Sequence, residues 1–269
     1  MLQQTQVSRV MQKFPVFLKR FPTLRKLARA KSSDAIRAWR GMGYNNRVLR
    51  LQQLARIIEQ HFDGRLPERV EQLRELPGIG PYTAHAVACF AFGKQVPVVD
   101  TNIARVLHRL FPTNGGRRSP GSTKPGGAET WELAGRILPK NRAYEWNQAL
   151  MDLGATLCTG RSPRCGLCPL QTLCPSAHTV RHDKRKPTRP ERGRGGTPNR
   201  IFRGRIVEVL RNLNGRGSIS SSLLAKSVKQ DYQHRDRRWF TELLDNLERD
   251  GLVQLRKFKS GVRVSLPEK

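Results

Sequence analysis

Apolar residues recur at helical spacing through most of residues 1–111, and Pro and Gly residues interrupt the pattern between repeats. This spacing gathers the apolar side chains on one face of an amphipathic helix. It predicts a succession of helices, two of them separated at Gly41-Met42-Gly43. Helical spacing returns at Trp131–Leu138 and at Tyr144–Leu157. The pattern therefore favours a mainly α-helical fold.

The last part of the chain, residues 201–269, has a different pattern. Three helical stretches come first, marked by Ile206, Leu224 and Leu243. Apolar and polar residues then alternate on both sides of Lys259-Ser260-Gly261, which predicts a β-hairpin. Three helices followed by a hairpin resemble a winged helix, whose third helix would suit a DNA groove. A small protein-interaction domain of the same shape is the alternative.

These patterns divide the chain into four segments. Residues 1–157 are predicted to form a helical domain with a hairpin at 76–84, and residues 158–178 form a loop that holds four cysteines. Residues 179–200 are predicted to be a solvated basic linker that can lie along phosphates. Residues 201–269 form the winged-helix-like domain.

The composition is strongly basic, with 50 Lys and Arg against 21 Asp and Glu and a formal net charge of +29. Such a charge favours a polyanionic partner, and 37% hydrophobic residues allow a folded core. Nucleic acid is the leading partner, although charge does not choose between DNA and RNA. An RNA-associated protein, such as a ribosomal one, or a merely solvated basic surface are the alternatives. We expect no membrane partner, because no run of 18 residues is apolar.

Four of the five cysteines lie close together, at Cys158, Cys165, Cys168 and Cys174. This crowding is unlike a secreted disulfide framework, so we expect a reducing cytoplasm and a metal site. Zinc usually takes two close cysteine pairs, and only one C-x-x-C is present. Four thiolates equally suit an iron–sulfur cluster, so the residues leave the metal open. Cys89 stands on an apolar helix face and is predicted to be a core residue.

The segment Leu76-Pro77-Gly78-Ile79-Gly80 separates two predicted helices. Glycines allow positive φ and close backbone approach, and N–H groups beside a helix N-terminus can bind a phosphate. Gly78 and Gly80 are therefore candidate DNA contacts, with Ile79 as an apolar anchor. An ordinary tight helix–helix turn is the alternative.

An apolar run, Val96-Pro97-Val98-Val99, leads to Asp100, and a helix is predicted to begin at once. Asp is a common residue before a helix because its side chain caps the first N–H groups. Asp100 is therefore a candidate N-cap.

Together these motifs resemble the helix-hairpin-helix base-excision DNA glycosylases, in which the same hairpin is followed by the same aspartate. The cysteine spacing after Asn147–Gly154 resembles the iron–sulfur loop of this family. The resemblance implies a mainly α fold of two helical lobes, plus the winged-helix-like α+β domain. It implies a [4Fe–4S] cluster on the four cysteines, which orders a basic loop with Arg161 and Arg164 against DNA. It also implies that Asp100 stabilises positive charge on the sugar of a flipped-out nucleotide.

Three features resemble the adenine-removing, A/G-specific branch of this family. In the signature Met1-Leu2-Gln3-Gln4-Thr5, the resemblance implies that Gln3 and Gln4 contact bases at the lesion. Tyr44 matches a tyrosine that is inserted into the base stack as a wedge, although core packing is the alternative. Tyr82 stands where relatives that cut the strand carry a lysine nucleophile, and a tyrosine cannot form that imine. The resemblance therefore implies a monofunctional glycosylase acting on adenine opposite guanine or 8-oxoguanine in double-stranded DNA, as a monomer.

Two departures from the family pattern matter. The branch carries a catalytic glutamate two residues before the Met-Leu-Gln-Gln signature, so we expect this general acid upstream of Met1. We expect little activity from the printed chain without it, because Asp100 alone cannot activate the leaving base. The tail is also unlike the larger domain that senses 8-oxoguanine in many relatives. A thymine or uracil mismatch glycosylase and a non-catalytic damaged-DNA-binding protein are the alternatives.

Overall fold

The computed structural model describes residues 1–3, 5–112, 127–179, 191–213 and 217–268. Two compact units make up the chain. Unit 1 joins Met1–Leu66 to Arg189–Lys269, and unit 2 is Pro67–Thr188. Of the predicted basic linker, residues 180–190 lie outside the described residues. Its described part, residues 191–200, contains two short strands, Gly193–Arg194 and Thr197–Pro198, and the start of a helix at Asn199. No helix among the described residues is long and apolar enough to cross a membrane.

The first part of unit 1 is helical, as the apolar spacing predicted. Its helices are α1 (Val7–Arg20), α2 (Leu24–Arg29), α3 (Ser32–Ala38) and α4 (Asn46–His61). The predicted break at Gly41-Met42-Gly43 lies between α3 and α4, where both glycines have positive φ.

Unit 2 contains five further helices, α5 (Val70–Glu75), α6 (Pro81–Phe92), α7 (Thr101–Leu110), α8 (Ala128–Arg136) and α9 (Ala143–Asp152). A π-helical turn, Leu153–Leu157, continues from α9. The sequence predicted a single helix through this region. A π-helix carries more residues per turn than an α-helix, so it displaces the backbone locally. The cysteine loop follows this turn.

The apolar side chains of unit 2 form small clusters. One joins Ile103 and Leu107 on α7 to Leu150 on α9. Another contains Cys89, which is 1% exposed, as predicted for a core residue.

The second part of unit 1 has the predicted winged-helix pattern. A two-stranded hairpin precedes three helices and a three-stranded antiparallel sheet in the order β3-β5-β4. The elements are β1 (Gly193–Arg194), β2 (Thr197–Pro198), α10 (Asn199–Asn212), β3 (Ile219–Ser220), α11 (Ser221–Val228), α12 (Arg237–Arg249), β4 (Gln254–Phe258) and β5 (Gly261–Ser265).

One continuous apolar core holds both parts of unit 1 together. Trp39, directly after α3, belongs to the same buried cluster as Phe202 of α10 and Leu247 of α12. The Ser33 N–H donates to the Pro267 carbonyl at 3.0 Å. The segments 1–157 and 201–269 that we predicted as domains therefore do not coincide with the compact units. Their apolar faces pack across the sequence boundaries.

Candidate active site and metal centre

The two glycines in the hairpin of unit 2 differ in backbone conformation. Gly78 has φ +82°, a conformation that favours glycine over residues with a side chain. Gly80 has φ −89°, and a Cβ placed on it would meet nothing within 4 Å. Nothing described in the chain therefore requires a glycine at position 80, and its absent side chain leaves the backbone open to an external group. Ile79 between them is only half-buried, so it anchors the hairpin less deeply than expected.

Asp100 caps α7, as the sequence predicted. Its Oδ1 accepts the backbone N–H of Ile103 at 2.7 Å, and its Oδ2 accepts Nδ2 of Asn102 at 2.9 Å. Each carboxylate oxygen therefore has one fixed partner, and the half-buried side chain has a defined orientation. The catalytic role of Asp100 is compatible with this cap and stays a prediction.

Tyr82, in the first turn of α6, is electrostatically coupled to Asp100. Burial raises the pKa of the Tyr82 phenol, and the negative charge of Asp100 raises this pKa further. Tyr82 is thus influenced by the charge of Asp100, the carboxylate that is predicted to be catalytic. The phenol stays protonated at neutral pH and can donate a hydrogen bond, but it is no nucleophile.

A polar network joins Asp100 to the start of the cysteine loop. Asn102, which donates to Asp100, accepts a hydrogen bond from Nη2 of Arg105 at 2.8 Å. The same Nη2 donates to the Gly154 carbonyl at 2.6 Å, and Nε of Arg105 donates to the Cys158 carbonyl at 2.8 Å. A Cβ on Gly154 would lie 2.8 Å from Cβ of Asn102. The network therefore requires the glycine, and sequence reasoning missed both Asn102 and Arg105 as members.

The four clustered cysteines line one cavity of about 30 Å³, and all are free thiols. Nη1 of Arg109, in the last turn of α7, donates to Sγ of Cys158 at 3.2 Å. Among the described residues no three His, Cys, Asp or Glu side chains are grouped closely enough to hold a metal ion. Four thiols around one cavity are the donor set that an iron–sulfur cluster takes.

Arg161 and Arg164, the predicted basic residues of the cysteine loop, are both exposed. Their guanidinium groups are therefore available to an external polyanion. This fits the expectation that the loop presents positive charge to DNA.

The remaining predicted DNA contacts belong to unit 1. Tyr44 follows Gly43 with φ +43° and is 57% exposed, so it does not pack in the core. Gln3 lies in the described N-terminal segment, whereas Gln4 lies outside the described residues.

The third helix of the winged-helix part has charges of both signs on its exposed face. Exposed arginines occur where α12 begins, at Arg237 and Arg238. The exposed face continues with Glu242 and Asp245, and Glu242 pairs with Arg238 at 3.1 Å. Contact of α12 with a DNA groove stays a prediction.

Comparison with known proteins identifies the class. A family model described as HhH-GPD superfamily base excision DNA repair protein matches residues 1–124. A second, the iron-sulfur binding domain of endonuclease III, matches residues 158–174 and so includes all four cysteines. A solved thermostable thymine-DNA glycosylase is similar with a TM-score of 0.61 and 29% identity, over 66% of this chain and 81% of that one. An endonuclease III bound to DNA has a TM-score of 0.58 and 25% identity, over 66% and 80%. The fold and the cysteine loop define a DNA-binding glycosylase of the helix-hairpin-helix class that carries a [4Fe–4S] cluster.

Sequence relatives give the particular family. An adenine DNA glycosylase of Mycobacterium tuberculosis H37Rv is 42% identical over 212 residues, 78% of this chain and 67% of that protein. One from Mycolicibacterium smegmatis is 38% identical over 260 residues, 94% and 81% of the two chains. The human adenine DNA glycosylase is 40% identical over 185 residues, 68% of this chain and 33% of that protein. The chain belongs to the adenine DNA glycosylase family.

Proposed function

We propose that this protein removes adenine paired with guanine or 8-oxoguanine in double-stranded DNA and leaves an abasic site. The observation that carries the proposal is Asp100, oriented by two hydrogen bonds and coupled to a tyrosine where a lysine would permit strand cutting. The names of the relatives support adenine as the base.

In the proposed reaction the base is flipped out of the stack and the bond between the sugar C1′ and adenine N9 breaks. The bonding electrons leave with the base, and positive charge develops on the sugar. The Asp100 carboxylate stabilises this charge without forming or breaking a bond itself. Water then adds to C1′ and loses a proton, which yields the abasic sugar.

Protonation of the leaving base needs a separate acid, because a carboxylate cannot serve as both anion and proton donor in one step. We assign this role to the glutamate expected upstream of Met1. The proton goes to a ring nitrogen of adenine, so the base leaves neutral.

The other predicted contacts would hold the DNA. The N–H groups around Gly78 and Gly80 bind a backbone phosphate, and Tyr44 enters the stack beside the flipped base while Gln3 and Gln4 contact bases. Cys158, Cys165, Cys168 and Cys174 would hold the [4Fe–4S] cluster, which links the loop that presents Arg161 and Arg164. We propose that the protein acts as a monomer on chromosomal DNA.

The decisive experiment measures base release in single turnover from A·G, A·8-oxoguanine, T·G and U·G duplexes. Two forms of the protein are assayed. One begins at Met1, and the other also carries the residues encoded upstream of Met1. We expect release from the two adenine duplexes, strongest in the extended form, and intact strands until alkali is added. Release from T·G or U·G alone would favour the thymine or uracil alternative. Binding without release in both forms would favour a non-catalytic role.

A second measurement tests the cluster ligands. The purified protein should be brown and contain iron and sulfide but little zinc. Replacing Cys168 with Ser should remove the visible absorption, whereas Cys89→Ser should keep it, because Cys89 is buried in an apolar cluster of α6.

A further inference from the structure

One arginine of unit 1 makes more contacts than the sequence signalled. Arg47 lies in the first turn of α4 and is half-buried. Its Nη1 donates to the Met1 carbonyl at 3.1 Å and also to the Gln3 carbonyl. The guanidinium thus holds the backbone of the N-terminal signature.

The other end of the same guanidinium holds the turn before α4. Nη2 of Arg47 donates to the Met42 carbonyl at 2.9 Å and to Oγ1 of Thr5 at 2.7 Å. Thr5 itself donates to the Met42 carbonyl at 3.2 Å. One planar group therefore joins two segments, around Thr5 and Met42, that are 37 positions apart in sequence.

Arg47 also contacts the predicted wedge. Its Cζ lies 5.6 Å from the ring centre of Tyr44 and 5.4 Å from that of Trp39. The backbone N–H of Arg47 donates to the Tyr44 carbonyl at 2.9 Å. Nε is buried and has no partner among the described residues. A buried donor without a partner costs free energy, so its presence indicates that the remaining contacts outweigh that cost.

We propose that Arg47 is a positioning residue that couples the N-terminal signature to the Gly41–Tyr44 turn, so that both hold one arrangement when the DNA stack opens. This inference rests on the proposed function for the part that concerns DNA. The coupling itself is a property of the free protein. Lysine could not replace Arg47 fully, since a single ammonium lacks the planar fork that reaches acceptors on both sides.

The first test is hydrogen exchange in the free full-length protein. Arg47→Ala should speed amide exchange in both segments by about tenfold or more, since it removes the hydrogen bonds that the charged guanidinium donates to each of them. Arg50→Ala is the matched control, because Arg50 is exposed one turn along the same helix. Arg47→Lys should give exchange rates between those of the unmodified protein and Arg47→Ala. If Arg47→Ala does not fold, Arg47→Lys is compared with Arg50→Lys instead. Faster exchange in only one segment, or in neither, would overturn the coupling.

The second test asks whether the coupling serves DNA opening. An A·G duplex carries 2-aminopurine beside the mispair, and its fluorescence rises when stacking is lost. Arg47→Ala and Arg50→Ala should lose similar affinity for matched duplex, since each removes one positive charge. Only Arg47→Ala should lose most of the fluorescence rise. An unchanged rise in Arg47→Ala, despite faster exchange, would overturn its positioning role on DNA.

Failure of the Arg47 coupling can be distinguished from failure of the proposed function. If the unmodified protein gave no fluorescence rise on the A·G duplex, the proposed function would fail while the exchange data still decided the coupling. A double-mutant cycle with Tyr44→Ala adds a further criterion. If Arg47 acts through Tyr44, Arg47→Lys should have little further effect on fluorescence in the Tyr44→Ala background, and additive effects would contradict the proposal.

Discussion

The two units of this protein differ in how their buried apolar side chains are gathered. Unit 1 has one large apolar core made from both of its chain segments, and it includes Trp39, Phe202 and Leu247. Unit 2 has smaller apolar clusters, and a polar network runs along one face of α7 from Asp100 to the cysteine loop. Burial of apolar surface tolerates small shifts, whereas hydrogen bonds depend steeply on distance and angle.

This difference indicates which element fixes the positions of the functional side chains. Helix α7 has 10 residues, so its ends are only about 15 Å apart. Its N-terminus carries the carboxylate, and Arg109 in its last turn contacts a candidate cluster ligand. In the proposed function, the chemistry of unit 2 depends on this one short helix, and unit 1 supplies the exposed Tyr44 as a predicted recognition residue.

The largest expected effect separates chemistry from folding in unit 2. Asp100→Asn should lower the single-turnover rate of adenine release by about a thousandfold, since it removes the charge that stabilises the transition state. Asn is also a good N-cap, so the melting temperature should change little. Release is measured on the A·G duplex with the N-terminally extended chain. A variant with full activity would remove Asp100 from the catalytic role.

The next effect concerns unit 1, where Asp236 is one of several buried polar side chains. Asp236 is 2% exposed and accepts from Nε of Arg194 at 2.7 Å and from Nζ of Lys229 at 3.1 Å. Asp236→Ala should lower the free energy of unfolding of unit 1 by about 2 kcal/mol, because Arg194 loses its carboxylate partner and Lys229 keeps only Asp231. Denaturant unfolding followed by tryptophan fluorescence measures this. Asp245→Ala is the control, since Asp245 is exposed on α12, the helix that follows Asp236.

This cluster also gives a pH dependence. The hydrogen bond from Arg194 is the main cause that lowers the pKa of Asp236 from 3.8 to about 2. A pKa lowered by folding stabilises the protein above the unfolded value, and this stabilisation is lost as the pH falls through the folded value. The difference in stability between the unmodified protein and Asp236→Ala should therefore shrink as the pH falls from about 4 to about 2. A difference that is constant with pH would contradict the ion pairing.

A smaller effect tests whether the polar network of unit 2 positions Asp100. Gly154→Ala should lower the release rate by about tenfold to a hundredfold, because the new Cβ would displace Asn102 and with it one partner of Asp100. The visible absorption of the cluster should be unchanged. Gly135→Ala is the control, since a Cβ there meets nothing within 4 Å. Equal rates in the two variants would show that the network does not position the carboxylate.

The smallest effect concerns the hairpin. Gly80→Ala should leave stability unchanged or raise it by up to about 1 kcal/mol, since the conformation suits alanine and the unfolded chain loses freedom. Affinity for duplex DNA should nevertheless fall about fivefold, the equivalent of one hydrogen bond to a phosphate. Filter binding at several salt concentrations measures it, again against Gly135→Ala. Unchanged affinity would exclude Gly80 as a point of close approach.

Features that depend on neighbouring residues could be predicted from the sequence. The helices follow from apolar spacing, the cap of α7 follows from Asp100 before an apolar helix, and the hairpin follows from Gly78 and Gly80. The winged-helix pattern followed from a change of period within the last segment. Each depends on residues within a few positions of one another, where backbone geometry decides the outcome.

Features that join distant segments could not be predicted. Arg105 donates to carbonyls 49 and 53 positions away, and any arginine on a helix surface has the same local signature. The shared core of unit 1 was missed because an apolar stripe shows that a helix has a buried face but not what covers it. The close approach of Gly154 in the π-helical turn to Asn102 was missed because the two residues are far apart in sequence.

The shared core of unit 1 has a consequence for synthesis on the ribosome. Translation proceeds from the N-terminus, and domains generally fold as they emerge. Unit 2 is one uninterrupted stretch and can complete its contacts while later residues are still being added. The helices of residues 1–66 must wait for the winged-helix segment, since Ile36 and Trp39 share their cluster with Phe202 and Leu247. Residues 1–66 are thus synthesised first but complete their core last. Until the winged-helix segment is made, their apolar faces are exposed to chaperones.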